Sequence, residues 1–256
     1  PIALSIVDEF EVIGVPRLFQ RGIEIYQNIC DWQGISYEKT EKGMRFKGRL
    51  KPGEFKIPGN VSSQYISGLL MALPLLEETS SIEVIPPFES KEYVDITLDV
   101  LSFHDIPIQQ EGLIYSFSPL SSSVSYSQKE VSIEGDYSNV AFLDAWNYLG
   151  GEVEVLGLNP DSKQGDRVYK KLFDALSNGF NEIDISSCID LGPVLIGFAF
   201  LHHGARLTHT KRLAIKECDR GNAMKEELEK VGGKIEVYED EIVVHPLGDA
   251  PKSAIF

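Results

Sequence analysis

The chain has 256 residues, of which 43% are apolar and 25% are charged, close to the averages for folded globular domains. This composition excludes a disordered, collagen-like or disulfide-stapled protein, and the length allows one large domain or two of about 130 residues. The formal net charge at pH 7 is −15, from 24 Lys and Arg against 39 Asp and Glu residues. We therefore expect no binding to nucleic acid or to anionic membranes, and a small anionic substrate would require the few cations to be gathered in one place.

The cysteines and the two chain ends predict a cytoplasmic protein that has been cut from a longer one. Cys30, Cys188 and Cys218 form no CxxC pair, so we expect reduced thiols and neither a disulfide framework nor a metal site. No apolar run approaches the roughly 18–20 residues of a membrane helix. The chain starts without Met or a signal-peptide pattern and stops on the apolar pair Ile255-Phe256, so both ends are expected to be cut.

Apolar periodicity and turn residues predict the elements of the first half of the chain. The predicted helix at 62–76 is apolar on nearly all sides and should be buried, whereas the predicted helix at 90–104 is amphipathic. In chain order the elements are a strand at 11–14, a helix at 22–31, a strand pair of 44–47 with 54–57, a helix at 62–76, a strand at 82–85, a helix at 90–104, and a strand pair of 113–117 with 131–133.

The same order of elements recurs in the second half of the chain. The predicted elements are a helix at 138–149, a strand at 153–156, a helix at 163–176, one brief strand pair around 183–186, a helix at 190–201, a strand at 206–208, a helix at 217–231, and a strand pair of 234–237 with 242–244. Three recurrences, with first helices starting at 62, 138 and 190, predict an α/β fold of repeated βαβαββ units. A generic α/β sandwich with chance spacing is the alternative.

Hydroxyl side chains stand at the start of two predicted helices. Ser62 and Ser63 follow a Gly-Asn turn and precede Gln64, and Ser90 opens the next helix with Tyr93 shortly after it. One interpretation is that these serines are N-caps. The other is that hydroxyl and unpaired N–H groups at a helix N-terminus capture a phosphate. The pattern alone leaves both open.

Residues 216–220, with the sequence KECDR, are the densest charged group in the chain. Lys216 and Arg220 are four residues apart at a predicted helix start, so they are expected to share a helix face, with Glu217 and Asp219 beside them. The group is either a solvated first turn with weak ion pairs or an anion site. The second interpretation has support because cations at a helix N-terminus oppose the helix dipole.

Asp190 precedes the third apolar helix, in which Pro193 suits the first turn. The carboxylate is expected to be a helix N-cap, and the alternative is a general base whose pKa is set by neighbouring cations. His202, His203 and His209 lack the spacing of metal ligands, so we read them as turn and strand residues. The sequence also contains none of the motifs GxxxxGK[ST], GxGxxG, GxSxG and HExxH. Their absence argues against a P-loop ATPase, a Rossmann dehydrogenase, a serine hydrolase and a zinc protease of the zincin class, respectively.

Taken together, the short motifs resemble those of the 5-enolpyruvylshikimate-3-phosphate (EPSP) synthase family. The order and spacing of the motifs match the family over essentially the whole chain. The matching segments are an arginine loop from Pro16-Arg17 to Arg21, GNVSSQY at 59–65, SKEYVDIT at 90–97, EGD at 134–136, DSKQGD at 161–166, Asp190, and KECDR at 216–220.

The resemblance implies a fold, a reaction and a set of partners. The family's fold has two domains built from βαβαββ units, an inside-out α/β barrel, with residues 1–132 as part of a first domain that binds shikimate phosphate and 133–256 as part of the second. Its reaction transfers the enolpyruvyl group of phosphoenolpyruvate to the 5-hydroxyl of shikimate 3-phosphate and releases phosphate. The resemblance implies no metal and no cofactor, and we expect a monomer whose partners are these two small molecules.

Five residues of the first half would bind shikimate 3-phosphate if the family's roles are carried over. The phosphate would be held by Ser62, Ser63 and Ser90. Gln64 and Tyr93 would lie beside the ring.

Five further residues would carry the chemistry in the same way. Asp190 would accept the proton of the 5-hydroxyl, Lys216 would bind the same hydroxyl region, and Glu217 would protonate the methylene carbon of phosphoenolpyruvate. Arg21 and Arg220 would clamp phosphoenolpyruvate, since guanidinium groups pair with carboxylate and phosphate in a bidentate way. We expect Arg21, Lys216 and Arg220 to make one cationic pocket on an acidic protein.

The chain departs from the family pattern at Gly22, at Glu92 and at residues 137–140. The family's opening Gly-Ser-Lys-Ser segment, its Gly-Asn-Ala-Gly-Thr loop and its late Asp-His-Arg segment have no counterpart. We therefore predict that the shikimate 3-phosphate contacts are mostly present, that the phosphoenolpyruvate site is incomplete, and that this chain alone turns over little or nothing. The alternatives are a non-catalytic binding module or degenerate paralogue, and the sister enolpyruvyl transfer to UDP-N-acetylglucosamine.

Overall fold

The computed structural model describes residues 1–20, 23–119 and 129–248 of the chain. Two compact units divide it, Pro1–Val131 and Ser132–Phe256, and each has its own apolar core. Every helix among the described residues is too short or too polar to cross a membrane. The predicted Arg21 site, together with Gly22, lies outside the described residues.

The first unit contains five α-helices and seven strands within its described residues. In chain order these are α1 (Ile2–Ile6), β1 (Glu9–Ile13), α2 (Pro16–Gln20), α3 (Glu24–Gln33), β2 (Ser36–Lys39), β3 (Gly43–Lys47), β4 (Glu54–Pro58), α4 (Ser63–Ala72) extended by a 3-10 turn (Leu73–Leu75), β5 (Ser80–Ile85), α5 (Lys91–Phe103), β6 (Ile108–Glu111) and β7 (Ile114–Phe117).

Two sheets form in this unit. The smaller has the strand order β1-β3-β2 and is antiparallel throughout. The larger has the order β4-β5-β7-β6, in which β4 and β5 are parallel and the other pairs are antiparallel. Because parallel neighbours need a crossover connection, α4 carries the chain from the end of β4 back to the start of β5. The apolar helix α4 lies in the core of the unit, with Ile66, Leu69 and Leu70 fully buried.

The second unit contains four α-helices and four strands within its described residues. They are α6 (Tyr137–Tyr148), α7 (Tyr169–Asn178) preceded by a 3-10 turn (Gly165–Val168), β8 (Asn181–Asp184), a 3-10 turn (Ile189–Leu191), α8 (Gly192–Leu201), β9 (Ala205–Thr208), a 3-10 helix (Lys211–Ile215), α9 (Arg220–Lys230), β10 (Ile235–Val237) and β11 (Glu241–Val244).

The four strands of the second unit form one sheet with the order β10-β11-β9-β8. Strands β8 and β9 are parallel and joined through the buried apolar helix α8, and the remaining pairs are antiparallel. This is the connectivity of β4 to β7 again. Among the described residues the predicted βαβαββ unit is therefore present twice, at residues 54–117 and 181–244, and the third predicted recurrence, which begins with the helix at 138, is wrong because no strand follows α6 at 153–156.

Three of the predicted strand arrangements are wrong. Strand 44–47 pairs with β1 and β2 instead of 54–57, because a tight turn at Thr40 (its N–H donates to the Gly43 carbonyl, 2.9 Å) returns the chain beside β2. Strand 113–117 pairs with β5 and β6 instead of 131–133, since Gly112, at φ 60°, closes a short hairpin after β6. Residues 131–133 and 153–156 are not strands within the described part of the chain, where neither has a partner strand.

Candidate functional site

Ser62 caps helix α4 in the way its sequence context predicts. Its backbone is extended (φ −159°, ψ 131°) and its Oγ accepts a hydrogen bond from the Gln64 N–H at 3.3 Å. The next residue, Ser63, is buried, and the Gln64 side chain is exposed. The N-cap interpretation of Ser62 is confirmed, and it does not exclude a ligand role, because α4 leaves further N–H groups at its start.

Ser90 opens helix α5 in a different way. Its backbone is left-handed (φ 52°, ψ 40°), which is uncommon for a residue other than glycine, and it is only 2% exposed. Its side chain makes no capping hydrogen bond to α5, so the cap prediction is wrong for Ser90, and its carbonyl accepts from the Tyr93 N–H at 3.3 Å. Left-handed residues that the surrounding structure holds in place are found preferentially at ligand sites.

Backbone hydrogen bonds at Gly59 hold the starts of helices α4 and α5 at the same end of the sheet, next to the carboxyl ends of β4 and β5. The Gly59 N–H donates to the Ile85 carbonyl at 2.9 Å, and the Glu89 N–H donates to the Gly59 carbonyl at 3.1 Å. A Cβ atom on Gly59 would lie 2.7 Å from the Pro87 oxygen, so only glycine fits. Because β4 and β5 are parallel, their carboxyl ends share this edge, which is where open α/β sheets bind ligands.

Four charged residues of the second unit meet in a cluster that we call the Asp190 cluster. The Asp190 Oδ1 atom lies 2.7 Å from Arg220 Nη1 and 3.0 Å from Lys216 Nζ. The fourth member, Glu217, places Oε2 at 2.9 Å from Arg220 Nη2. The sequence therefore singled out four residues that the fold brings into direct contact from separate segments.

Local structure in this cluster differs from the prediction in two ways. Asp190 lies in the 3-10 turn before α8, whose N-cap is Leu191, so Asp190 does not have the predicted cap role. Helix α9 starts at Arg220, because Asp219 caps it by accepting from the Asn222 N–H at 3.1 Å. Lys216 precedes the helix in extended conformation, so it reaches Asp190 from outside α9 rather than along a shared helix face.

The electrostatics of the cluster keep Asp190 ionised. Burial raises the pKa of the Asp190 carboxyl, but the charges and hydrogen bonds of Lys216 and Arg220 outweigh burial and lower it. Burial lowers the pKa of the Arg220 guanidinium, but the charges and hydrogen bonds of Asp190 and Glu217 outweigh burial, so the pKa is raised. Two cations face two carboxylates, so the formal charges of these four residues cancel. Lys216 and Arg220, the two residues of the expected cationic pocket that the structure describes, are therefore part of an ion-pair network. An incoming anion must compete with the carboxylates for these two cations.

A buried arginine near the cluster gave no signal in the sequence. Arg212 is 7% exposed and its Nη2 donates to the Ser186 carbonyl at 2.5 Å. It lies in the 3-10 helix just before Lys216, and Ser186 lies in the loop just before Asp190. Arg212 therefore ties together the two segments that carry this ion pair. An arginine in a polar stretch is normally exposed, and this explains why sequence reasoning missed it.

The EGD and DSKQGD segments build a polar network at the start of the second unit. Glu134 Oε1 accepts from Ser162 Oγ at 2.6 Å and from Gln164 Nε2 at 2.8 Å. Asp136 caps α6 by accepting from the Ser138 N–H at 2.9 Å, and the Ser138 hydroxyl donates to Asp166. These hydrogen bonds give both motifs a role in holding the fold. No three His, Cys, Asp or Glu side chains within the described ranges are arranged to hold a metal ion.

Comparison with known proteins agrees with these motifs. The family model of EPSP synthase (3-phosphoshikimate 1-carboxyvinyltransferase) matches residues 33–178 and 172–254. The 3-phosphoshikimate 1-carboxyvinyltransferase of Clostridium kluyveri is 36% identical over 265 residues, covering 96% of this chain and 62% of the relative. The enzyme of the same name from Clostridium perfringens strain 13 is 35% identical over 269 residues, covering 97% of this chain and 63% of the relative.

A solved structure shows the same fold. The EPSP synthase of Acinetobacter baumannii superposes with a TM-score of 0.66 at 21% identity, covering 96% of this chain and 62% of that chain. The chain thus spans about three-fifths of the length of the proteins it matches. The match of the family model over most of the chain, on a fold that repeats the βαβαββ unit, shows that the chain belongs to the EPSP synthase family.

Proposed function

We propose that this chain supplies most of an enzyme that transfers the enolpyruvyl group of phosphoenolpyruvate to the 5-hydroxyl of shikimate 3-phosphate, with release of phosphate. The observation that carries the proposal is the convergence of Asp190, Lys216, Glu217 and Arg220, which come from two separate segments and include a partly buried carboxylate between two cations. Charged residues whose pKa is shifted by burial and by a specific charge partner, as that of Asp190 is, occur preferentially at functional sites. We also propose a cytoplasmic monomer.

Shikimate 3-phosphate would bind to the first unit. Ser62, Ser63 and Ser90 belong to the starts of two helices at one sheet edge, where hydroxyl and N–H donors and the helix dipoles favour a phosphate. Gln64 is exposed and Tyr93 is half-buried, so both are available to contact a ring bound beside that phosphate.

Proton transfer would be divided between the two carboxylates of the Asp190 cluster. The 5-hydroxyl oxygen would bond to C2 of phosphoenolpyruvate while Asp190 accepts the hydroxyl proton and Glu217, released from Arg220 and in its protonated form, gives a proton to C3. Cleavage of the bond between C2 and the phosphate oxygen then releases phosphate. Loss of one proton from the methyl carbon to the Glu217 carboxylate restores the carbon–carbon double bond. Because Lys216 and Arg220 lower the pKa of Asp190, an anion that draws these cations away would make Asp190 a stronger base.

Phosphoenolpyruvate binding would fall to Arg220, with Arg21 as its partner. Arg220 already holds two carboxylates in the described structure, Asp190 at 2.7 Å and Glu217 at 2.9 Å, which shows that its guanidinium can pair with two acidic oxygens at once. The carboxylate and phosphate of phosphoenolpyruvate would replace or add to these partners. Because phosphoenolpyruvate must compete with Asp190 and Glu217 for Arg220, the second candidate function is binding of shikimate 3-phosphate without catalysis.

Titration calorimetry of the purified chain tests the proposal. We expect heat on adding shikimate 3-phosphate, and any further heat on adding phosphoenolpyruvate to the complex is expected to be lost in Arg220→Met. The matched control is Arg206→Met, an exposed arginine whose ion pairs with Glu182 (2.9 Å) and Glu241 (2.5 Å) lie outside the cluster. Absence of any response to shikimate 3-phosphate contradicts the proposal. Enolpyruvyl transfer to UDP-N-acetylglucosamine would assign the sister reaction instead.

A further inference from the structure

Two hydroxyl groups join helices α4 and α5, about one turn inside the start of α4 and nearly two turns inside the start of α5. The Oγ atom of Ser67 lies 2.8 Å from Oγ1 of Thr97, and Thr97 Oγ1 lies 3.1 Å from the carbonyl oxygen of Tyr93. Thr97 is 7% exposed, so this contact is shielded from water. Neither residue carries a signal in the sequence, because serine and threonine inside helices are common and their partners cannot be read from spacing.

The direction of these hydrogen bonds follows from the chemistry of the groups. The Tyr93 carbonyl can only accept, so the single proton of the Thr97 hydroxyl is donated to it. Thr97 Oγ1 must then be the acceptor of the second bond, and Ser67 is the donor. The result is an ordered chain from Ser67 through Thr97 to the backbone of Tyr93.

This chain of hydrogen bonds links the segments that carry the phosphate-binding serines. Ser67 follows Ser63 by four residues and therefore lies on the same face of α4, and Thr97 follows Tyr93 by four residues on α5. Apolar packing between two helices is non-directional and tolerates small rotations and slides. A hydrogen bond has a preferred distance and angle, so it fixes the register of one helix against the other.

We propose that Ser67 and Thr97 are positioning residues for the phosphate of shikimate 3-phosphate. They hold α4 and α5 in the register that sets the spacing between the hydroxyls of Ser62 and Ser63 on one helix start and that of Ser90 on the other. The inference rests on the proposed function, since it assigns these hydroxyls to that substrate.

The test compares variants that change the hydroxyls and leave the packing in place. Thr97→Val removes the hydroxyl at nearly constant shape, Thr97→Ser keeps it, and Ser67→Ala removes the donor. We expect Thr97→Val and Ser67→Ala each to weaken shikimate 3-phosphate binding about tenfold, and Thr97→Ser to stay within about twofold of wild type. The double variant Ser67→Ala/Thr97→Val should bind no more weakly than either single variant, because both remove the same link.

Rescue by Thr97→Ser separates positioning from a general loss of stability, since this variant loses a buried methyl group but retains the hydrogen bond. The matched control is Ser36→Ala, which removes an exposed hydroxyl donating to the Lys47 carbonyl at 3.2 Å in the same unit. It should leave the affinity unchanged. If Thr97→Val does not fold, the same comparison is made with Ser67→Ala.

The outcomes distinguish this inference from the proposed function. Wild-type binding of shikimate 3-phosphate with unchanged affinity in Thr97→Val and Ser67→Ala overturns the positioning role alone. Additive losses in the double variant also overturn it. Absence of shikimate 3-phosphate binding by the wild-type chain overturns the proposed function and this inference together.

Discussion

The two βαβαββ repeats, at residues 54–117 and 181–244, share one connectivity and carry different chemistry at the same place in it. In both, a buried apolar helix joins two parallel strands, and the segments that follow those strands carry the candidate site residues. The first repeat places serine hydroxyls there, and the second places the Asp190 cluster. The backbone architecture thus determines where a site can form, and the loop residues determine what the site does.

The repeats also differ in how their two site segments are held together. In the first repeat the segments meet through main-chain hydrogen bonds around Gly59 and through the uncharged hydroxyl contact between Ser67 and Thr97. In the second they meet through side chains, the ion pairs of Asp190 and the hydrogen bond from Arg212. We therefore expect the first site to be sensitive to the size of a residue and to the loss of an uncharged hydroxyl, and the second to be sensitive to charge.

Replacing Gly59 tests the main-chain contact and should have the largest effect. Gly59→Ala places a Cβ 2.7 Å from the Pro87 oxygen and 2.9 Å from Phe88 Cα. Both are backbone atoms that cannot move aside, so we expect a loss of about 3 kcal/mol in the unfolding free energy. The measurement is urea unfolding.

The same substitution in the second repeat should act in the opposite direction. Gly197 lies within α8, and a Cβ there would be 3.9 Å from the nearest atom, Met224 Cε. Gly197→Ala should stabilise the chain by about 0.5–1 kcal/mol, since alanine favours helix more than glycine does. Equal effects of the two substitutions would contradict the comparison.

Removing the charge of Asp190 tests the ion-pair network of the second repeat. In Asp190→Asn, Lys216 and Arg220 lose the carboxylate between them and repel each other, so we expect a loss of about 2 kcal/mol in the unfolding free energy. The control Glu239→Gln removes an ion-paired carboxylate of the same unit that is 81% exposed, and it should leave stability unchanged. A partial recovery of the unfolding free energy in the double variant Asp190→Asn/Lys216→Met would identify repulsion between the two cations as the cause of the loss.

The stability that Asp190 provides should depend on pH in a defined direction. Its folded-state pKa lies below the ordinary value of 3.8, so its stabilising effect is complete above that value and is lost as the pH falls through the folded-state pKa. The difference in unfolding free energy between wild type and Asp190→Asn should be constant from about pH 7 to about pH 5 and should shrink below about pH 4. A difference that grows toward acid pH contradicts the assignment.

The helix caps of the two repeats should contribute about equally to stability. Ser62 caps α4 and Asp219 caps α9, each by accepting a backbone N–H. We expect Ser62→Ala and Asp219→Ala each to cost about 1 kcal/mol in thermal unfolding. A cost near zero for Ser62→Ala would mean that its hydroxyl serves only a ligand.

The local features of the fold followed from the sequence, and the long-range strand pairings did not. Helices α4, α5 and α8 were predicted from their apolar periodicity, and the hairpin of β10 and β11 from alternation around a turn. The predicted pairing of 44–47 with 54–57 failed because any strand presents equivalent backbone groups to any neighbour. Which strand becomes the neighbour depends on the paths of the connecting segments.

The candidate site shows the same division. Motif resemblance selected Asp190, Lys216, Glu217 and Arg220, and the structure brings them into contact. The predicted reason for the proximity of Lys216 and Arg220, a shared helix face, was wrong, since α9 begins only at Arg220 and both residues contact Asp190. The residues that hold the site segments, Arg212 and the Ser67–Thr97 pair, were missed because a buried polar partner leaves no periodic pattern.

What the sequence determined by itself is local and compositional: buried helices, the helix start at Ser62, a formal net charge of −15, and the motif residues of the EPSP synthase family. The tertiary structure alone decided which strands pair and which charges neutralise one another. The physical reason is that periodicity and capping act within one or two helical turns, whereas hydrogen bonds and ion pairs between distant segments exist only after the chain has packed. Of the expected cationic pocket, Lys216 and Arg220 do lie close together, and the carboxylates of Asp190 and Glu217 neutralise their charges.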